Sequence, residues 1–243
     1  MKEKEILGIL SKVGAVITDS HIVYTSGRHG SAYVNKDKVY PHTRVTSDLC
    51  WEIAKRFVDD DVDVVIAPAV GGVILSQWIA FHLSDITGRD VFSAYAEKAE
   101  RSLRKADEEV TINFGDGVLT LLKGEELVVK EDAFAIKRGY GDLVSIKRVL
   151  VVEDVLTTGG SAKKVVQATR ACGGKVIGVG VLCNRGGVTS QDLEDVPKLF
   201  ALTDIKLDSW DEAKCPLCAK GAPINVSVGK GKEFLERRNA AKT

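Results

Sequence analysis

The sequence lacks several things that would each have pointed elsewhere. No apolar run approaches the roughly 20 residues needed to cross a bilayer, so a membrane protein is not expected. Neither sign of charge is in excess, with 34 Lys and Arg against 34 Asp and Glu. Such a chain has no overall field to draw in a polyanion, and nucleic acid is not expected as a partner. The opening MKEKEILGILSKVGAVITD has charges beside an apolar stretch, but Gly8, Ser11, Lys12 and Gly14 interrupt it before it reaches signal-peptide quality. A cytoplasmic location is the expectation. Neither the dinucleotide string GxGxxG nor the Walker string GxxxxGK[ST] occurs, which removes the two commonest phosphate-loop readings.

Cysteine is sparse and odd in number, five in all. Cys50, Cys172 and Cys183 lie inside apolar periodic segments and read as buried thiols, while Cys215 and Cys218 form a single CPLC. A disulfide scaffold does not suit the expected compartment. One CxxC supplies only part of a structural zinc set, so a metal there would need His or Cys from elsewhere in the chain or from a second subunit. No protein metal ligand is therefore assigned from the sequence.

What is present is an alternation of strands and helices. A chain of 243 residues, 44% hydrophobic, can bury one large core with small appendages. Ile6, Leu7, Leu10 and Val13 share one helical face, so residues 3–13 are predicted helical. Two short β-like pieces follow, His21–Thr25 and Ala32–Asn35, separated by the turn-forming SGRHG. From Thr46 a helix, the buried strand DVDVVIAP, a helix from Gly71 to His82 and a strand at Val91–Tyr95 succeed one another. Strand RVLVV (Arg148–Val152), a helix at Gly160–Cys172 and strand KVIGVGVLC continue the rhythm, implying a parallel sheet covered on both faces. The charged interval Glu100–Ala133 breaks it. There VTINF and VLTLL flank Asp116-Gly117, which predicts a β-hairpin inserted at about 104–130. A single domain is expected, with residues 1–45 as an N-terminal segment, 46–190 as the α/β core and 191–243 as a strand and tail whose last residues, ERRNAAKT, are frayed.

The stretch VLVVEDVLTTGGSAKK (Val149–Lys164) concentrates the chemistry. A buried strand delivers the carboxylates Glu153 and Asp154 to its carboxyl end, where open α/β sheets bind ligands. Thr157, Thr158, Gly159, Gly160 and Ser161 then make a small-residue loop that opens a helix, and backbone N–H groups of such a loop cradle a phosphate monoester. Acids beside a phosphate cradle make sense when they accept hydrogen bonds from sugar hydroxyls. An ordinary structural turn would not place two acids directly before it.

This stretch resembles the phosphoribosyl pyrophosphate signature of type I phosphoribosyltransferases, whose fold is a central parallel sheet flanked by helices. The resemblance implies that Glu153 and Asp154 hold the ribose and act in catalysis, and that Val155 and Leu156 with Thr157–Ser161 surround the phosphate. Val70 and Gly71, within APAVGG (Ala67–Gly72), are similar to the family's pyrophosphate loop. Mg²⁺ is the cofactor it implies.

Further segments resemble orotate phosphoribosyltransferases in particular. YTSGRHGSAYVNKDKVYP (Tyr24–Pro41) looks like their N-terminal hood, which with the C-terminal tail closes over the base, and implies contacts from Ser26, Gly27 and Tyr33. AYAEK ending at Lys98 and FAIKRGY (Phe134–Tyr140) look like segments of one bacterial branch, as does the tail CPLCAKGAPI. LCNRGG puts Arg185 where the family grips the orotate carboxylate, with Thr157 nearby. That pairing also makes physical sense, because an Arg fork suits a carboxylate and a neutral purine offers it nothing comparable. The family's common mobile loop, with several lysines and a His-Gly, is missing here. Lys98, Lys137 and Arg138 are the cations left to meet the pyrophosphate, Lys98 among the catalytic candidates. The substrates so implied are orotate and phosphoribosyl pyrophosphate, and the assembly a homodimer. A purine salvage phosphoribosyltransferase and a non-catalytic sensor of phosphoribosyl pyrophosphate are the alternatives.

Overall fold

The structure is a computed structural model. It describes the chain except for residues 2, 25, 100, 104–109, 115–116, 122–126, 130–132, 206–207 and 241–243. The chain opens with α1 (Glu3–Lys12) and four short strands, β1 (Val16–Ile17), β2 (Ile22–Val23), β3 (His29–Gly30) and β4 (Tyr33–Val34). Next come α2 (Thr43–Ala54), β5 (Val64–Pro68), α3 (Val73–Thr87) and β6 (Phe92–Lys98). β7 (Arg101–Leu103), β8 (Val110–Phe114), β9 (Gly117–Leu121), β10 (Leu127–Val129) and β11 (Phe134–Ala135) follow. The rest comprises α4 (Tyr140–Val144), β12 (Arg148–Leu156), α5 (Gly160–Ala171), β13 (Lys175–Asn184), β14 (Leu199–Asp204), β15 (Ser209–Trp210), α6 (Pro216–Ala219) and α7 (Gly231–Ala240).

The central sheet has six strands in the order β11-β6-β5-β12-β13-β14, parallel throughout except for β11 at one edge. Its central strands are buried on both faces, which is why VVIAP and VLVV read as continuous apolar runs rather than alternating ones. One face packs Leu150 and Val152 against Leu49, Ile53 and Phe57 and against Leu75, Ile79 and Leu83 of α3. The other packs Val149 and Val151 against Val144 of α4 and Ala162, Val165 and Val166 of α5. Each fully buried aliphatic side chain contributes about 1.5–3 kcal/mol of transfer free energy, which makes these two layers the main source of cohesion. The two glycines of the GVG run in β13 make room for one ring: a Cβ on Gly178 would stand 2.8 Å from Phe57, and one on Gly180 3.3 Å from it.

Four expectations are corrected. SGRHG is not wholly a turn, because His29 and Gly30 form β3, which pairs with β2 on one side and β15 on the other. The residues Glu236–Ala240 are helical rather than frayed, since α7 is anchored by the buried Phe234. β12 runs on to Leu156, so the acid pair lies within the strand rather than after it. The insertion holds more than one hairpin: β8 pairs with β9, with Phe114 opposite Gly117, while β7 pairs with β10 outside it and β6 with β11 outside that. Asp116, half of the expected turn dipeptide, lies outside the described residues.

Candidate active site

Strand alternation decides how the two acids are used. Successive side chains of β12 point to opposite faces, and Glu153 follows Val149 and Val151 while Asp154 follows Leu150 and Val152. Accordingly Asp154 lines a cavity of about 450 Å³ under the N-terminal segment. Glu153 lines a smaller one of about 140 Å³ formed by the loop before α5. Val155 and Thr157 border both, so the cavities adjoin across the end of the strand. Both acids are buried. Burial, reinforced by the neighbouring Asp154, pushes the Glu153 carboxyl up to about 8.

The larger cavity is built largely by the N-terminal segment, which contributes Tyr24, Ser26, Tyr33, Asn35, Lys36 and Asp37 opposite Asp154, Thr157 and Arg185. Lys36 Nζ donates to Asp154 Oδ2 at 2.5 Å. Burial works against the Lys36 charge, yet the Asp154 carboxylate outweighs it and holds the ammonium above its ordinary value. The Tyr40 hydroxyl lies 2.7 Å from the Gly71 carbonyl and 3.3 Å from Asp154 Oδ2, and burial raises its pKa further above the phenol range. A Cβ on Gly71 would meet both Asp154 Oδ2 and Lys36 Nζ, so a larger residue would have to push those two side-chain ends aside, so close does the loop come to the acid. The loop carrying Gly71 is thereby held against the acid, whereas Val70 beside it is exposed.

Arg185 emerges just after β13, where its backbone N–H and that of Gly186 both donate to the Leu156 carbonyl at 3.0 and 3.1 Å. Gly186 packs so closely on Thr157 that a Cβ would strike the Thr157 carbonyl. The guanidinium lies over the Tyr24 ring, 5.1 Å from its centroid, while the Tyr24 hydroxyl donates to the Ala32 carbonyl at 2.6 Å. The smaller cavity is lined by Val155–Ala162 with Glu153. There Gly159 adopts φ +75°, a left-handed conformation that suits glycine, and turns the loop into the N-terminus of α5.

The remaining sequence-selected residues fall elsewhere. Among the described residues, neither cavity lining includes Lys98, Lys137, Arg138, Val70 or Gly27. Lys98 is exposed at the end of β6 opposite Phe134. Arg138 pairs with Glu97 at 2.8 Å and Lys137 with the same carboxylate at 3.9 Å. Gly27 sits at the turn between β2 and β3 with φ +79° and borders a separate groove with Phe234 and Arg237. Arg28 is directed away, donating to Ser209 and Asp211 beside β15. Sequence reasoning passed over Lys36, Tyr40 and Asn35. They stand within the hood-like segment, but NKDK is locally indistinguishable from a solvated charge run.

Comparisons with known proteins show the family. Residues 42–214 match the family profile of the phosphoribosyl transferase domain. The chain is 35% identical over 224 residues to the orotate phosphoribosyltransferase of Pelotomaculum thermopropionicum, covering 92% of this chain and 95% of the relative. It is 32% identical over 229 residues to that of Desulforamulus reducens, with the same coverage of 92% and 95%. Among solved structures, orotate phosphoribosyltransferase of Mycobacterium tuberculosis in complex with 5-phospho-α-D-ribosyl 1-diphosphate superposes with a TM-score of 0.55 at 20% identity, over 84% of this chain and 96% of that one. That last likeness speaks for the fold alone. With a phosphate-type loop and an acid pair at the end of the central strand, an Arg-bearing cavity alongside, and relatives of this kind along nearly its whole length, the chain belongs to the orotate phosphoribosyltransferase family of phosphoribosyltransferases.

Proposed function

We propose that the protein transfers the 5-phosphoribosyl group of phosphoribosyl pyrophosphate to orotate, giving orotidine 5′-monophosphate and pyrophosphate. The observation that carries this reading is the pair of cavities adjoining at Val155 and Thr157, one a loop-and-helix cradle and the other holding Arg185. A sugar phosphate with a carboxylated base spans such a site naturally. The loop Thr157–Ser161 holds the 5-phosphate through backbone N–H groups at the start of α5. Asp154 accepts from ribose hydroxyls on one face of β12, and Glu153, largely protonated near neutral pH, supports the ribose and loop from the other. Arg185 grips the orotate carboxylate while Ser26 and Tyr33 enclose the ring with Thr157; Gly27, which borders the neighbouring groove, takes no part.

In the reaction a ring nitrogen of orotate bonds to the anomeric carbon, the bond from that carbon to pyrophosphate breaks, and the nitrogen's proton is lost to solvent. No side chain need act as a nucleophile. Positioning, and the buried Asp154 carboxylate close to a ribose that gains positive charge, supply the catalysis. Lys98, Lys137 and Arg138 reach the departing pyrophosphate on closure, which requires Lys137 and Arg138 to leave Glu97.

Mg²⁺ fits this site as a substrate-borne ion. The acid pair offers few free oxygens, since Lys36 and Tyr40 engage Asp154. That sparse set suits a small hard cation which keeps several waters and is ligated mainly by phosphates. Asp154 would hold it, through water, and the ion would neutralise charge on the leaving pyrophosphate. A homodimer in the cytoplasm completes the proposal. No helix among the described residues is long and apolar enough to cross a membrane.

The test is pyrophosphate release at fixed Mg²⁺ with orotate, uracil, hypoxanthine, adenine and guanine offered separately. Release with orotate alone is the expected result, and release with a purine but not with orotate overturns it.

A further inference from the structure

Away from the catalytic cavities, four side chains from opposite ends of the chain converge. His21 precedes β2, His29 lies in β3, and Cys215 and Cys218 flank the start of α6. One ligand-capable atom from each lies within 4.8 Å of every other. His21 Nε2 is 2.9 Å from His29 Nδ1 and 3.6 Å from each cysteine Sγ, and Cys218 Sγ is 3.3 Å from His29 Nδ1. His21, His29 and Cys215 are buried, and Cys218 is partly so.

Hydrogen bonding alone does not account for this cluster. His21 Nδ1 is 2.9 Å from the Ala222 carbonyl, an acceptor, so that nitrogen carries the ring proton and Nε2 presents a lone pair. That lone pair faces His29 Nδ1 and two sulfurs at once, and it can accept from only one of them. A cation at the centre satisfies all four. Tetrahedral zinc with Zn–N of roughly 2.0–2.1 Å and Zn–S of about 2.3 Å sets ligand atoms about 3.3–3.8 Å apart; the three nitrogen–sulfur separations above, 3.3 Å and twice 3.6 Å, fall in that range, and the 2.9 Å between the histidine nitrogens lies below it. The Ala222 carbonyl is the outer partner that fixes a ligating imidazole in its tautomer.

We propose that His21, His29, Cys215 and Cys218 form a structural Cys₂His₂ zinc site. The ion staples the hairpin β2–β3 to the C-terminal tail. Tyr24 and Ser26, which line the substrate cavity, lie between the two histidines. The site is closed, with every position taken by protein, so its role is to hold the hood in place. The CPLC motif alone could not reveal it, because the other two ligands lie far off in sequence, His21 being 194 residues from Cys215.

The test is the metal content of the purified full-length chain after reconstitution with Zn²⁺ under reducing conditions, followed by removal of loosely bound metal. About one zinc per chain is expected, with a lower thermal midpoint after chelation. Replacement by Co²⁺ should give the intense ligand-field bands of tetrahedral coordination and a thiolate charge-transfer band. The Cys215→Ser, Cys218→Ser double variant should lose the metal at least tenfold. Should that variant fail to fold, Cys218→His, which keeps a ligand, should retain zinc and lose part of the thiolate band. A folded parent chain that holds less than about a tenth of an equivalent after reconstitution, or a cobalt spectrum without thiolate character, overturns the site.

Discussion

Lys36 Nζ stands 2.5 Å from Asp154 Oδ2 across 118 residues of sequence, joining the N-terminal segment to the end of the central strand. The contact makes the buried carboxylate affordable in the folded state and sets the N-terminal segment over the cavity that Asp154 lines. Asp154 is 5% exposed and Lys36 35%, so the pair is neither a surface bridge nor a fully desolvated one.

Lys36→Ala leaves that carboxylate buried without its cation. The loss should be roughly 1–2 kcal/mol of stability, above a surface pair and below the roughly 3–5 kcal/mol for breaking a wholly buried one. Denaturant unfolding measures it, and an unchanged midpoint would remove the structural role. Asp154→Asn keeps the shape but, with Asp154 facing the ribose as proposed, weakens the interaction with a sugar gaining charge. Turnover should fall about tenfold or more, roughly 1.4 kcal/mol of transition-state stabilisation.

Glu153 gives a pH signature of opposite sign to an ordinary salt-bridged acid. Its folded pKa is raised to about 8 by burial and by Asp154, while the unfolded chain releases that proton near the ordinary carboxylate range of about 4.3. Between those values the folded state binds the extra proton, so this group's contribution to stability declines as pH rises and levels off above about 8. Glu153→Gln, neutral throughout, should match the parent near pH 4 to 5 and become more stable than it towards pH 8. Thermal unfolding of both proteins across that range would show it; two parallel curves would mean that Glu153 is ionised in the fold.

Gly186→Ala places a Cβ against the Thr157 carbonyl, a backbone atom that cannot yield without moving the loop. Overpacking of this kind costs about 1–3 kcal/mol. The Michaelis constant for phosphoribosyl pyrophosphate should rise along with the loss of stability. A variant with parental kinetics and midpoint would show that the loop has slack there.

The sheet was legible because buried parallel strands leave continuous apolar runs, and VVIAP and VLVV have no competing reading. The loop that opens α5 was legible because glycine and hydroxyl residues directly after such a strand have few other uses. Pairings across long separations left no local trace. Lys36 looks like a solvated lysine until Asp154 is beside it, and His21 looks like the start of a short strand and His29 like part of a turn until the CPLC pair arrives from the other end. Alternation along β12 could have predicted that Glu153 and Asp154 face opposite ways, but only once the strand was known to continue to Leu156. The cations near Glu97 show the reverse limit: a resemblance selected Lys137 and Arg138, and the fold gives them a carboxylate partner instead of a place in either cavity.

In the proposed reading the choice of base rests on Arg185. It lines the cavity opposite the hood residues, is steadied by the Tyr24 ring, and leaves β13 at a turn pinned to Leu156. If it forks the orotate carboxylate in a site closed to water, Arg185→Ala leaves that anion buried and unpaired. Losses of this kind run to about 2–5 kcal/mol, or roughly 30-fold to several thousand-fold. The defect should fall on kcat/KM for orotate, while affinity for phosphoribosyl pyrophosphate, which the proposed reading places on Glu153–Ser161, changes far less. Both are measured at fixed Mg²⁺ on the same protein, so a global folding defect would show in both and be told apart. Orotate kinetics within about twofold of the parent, a difference of only ~0.4 kcal/mol, would mean that Arg185 does not read the base and would return a purine to contention.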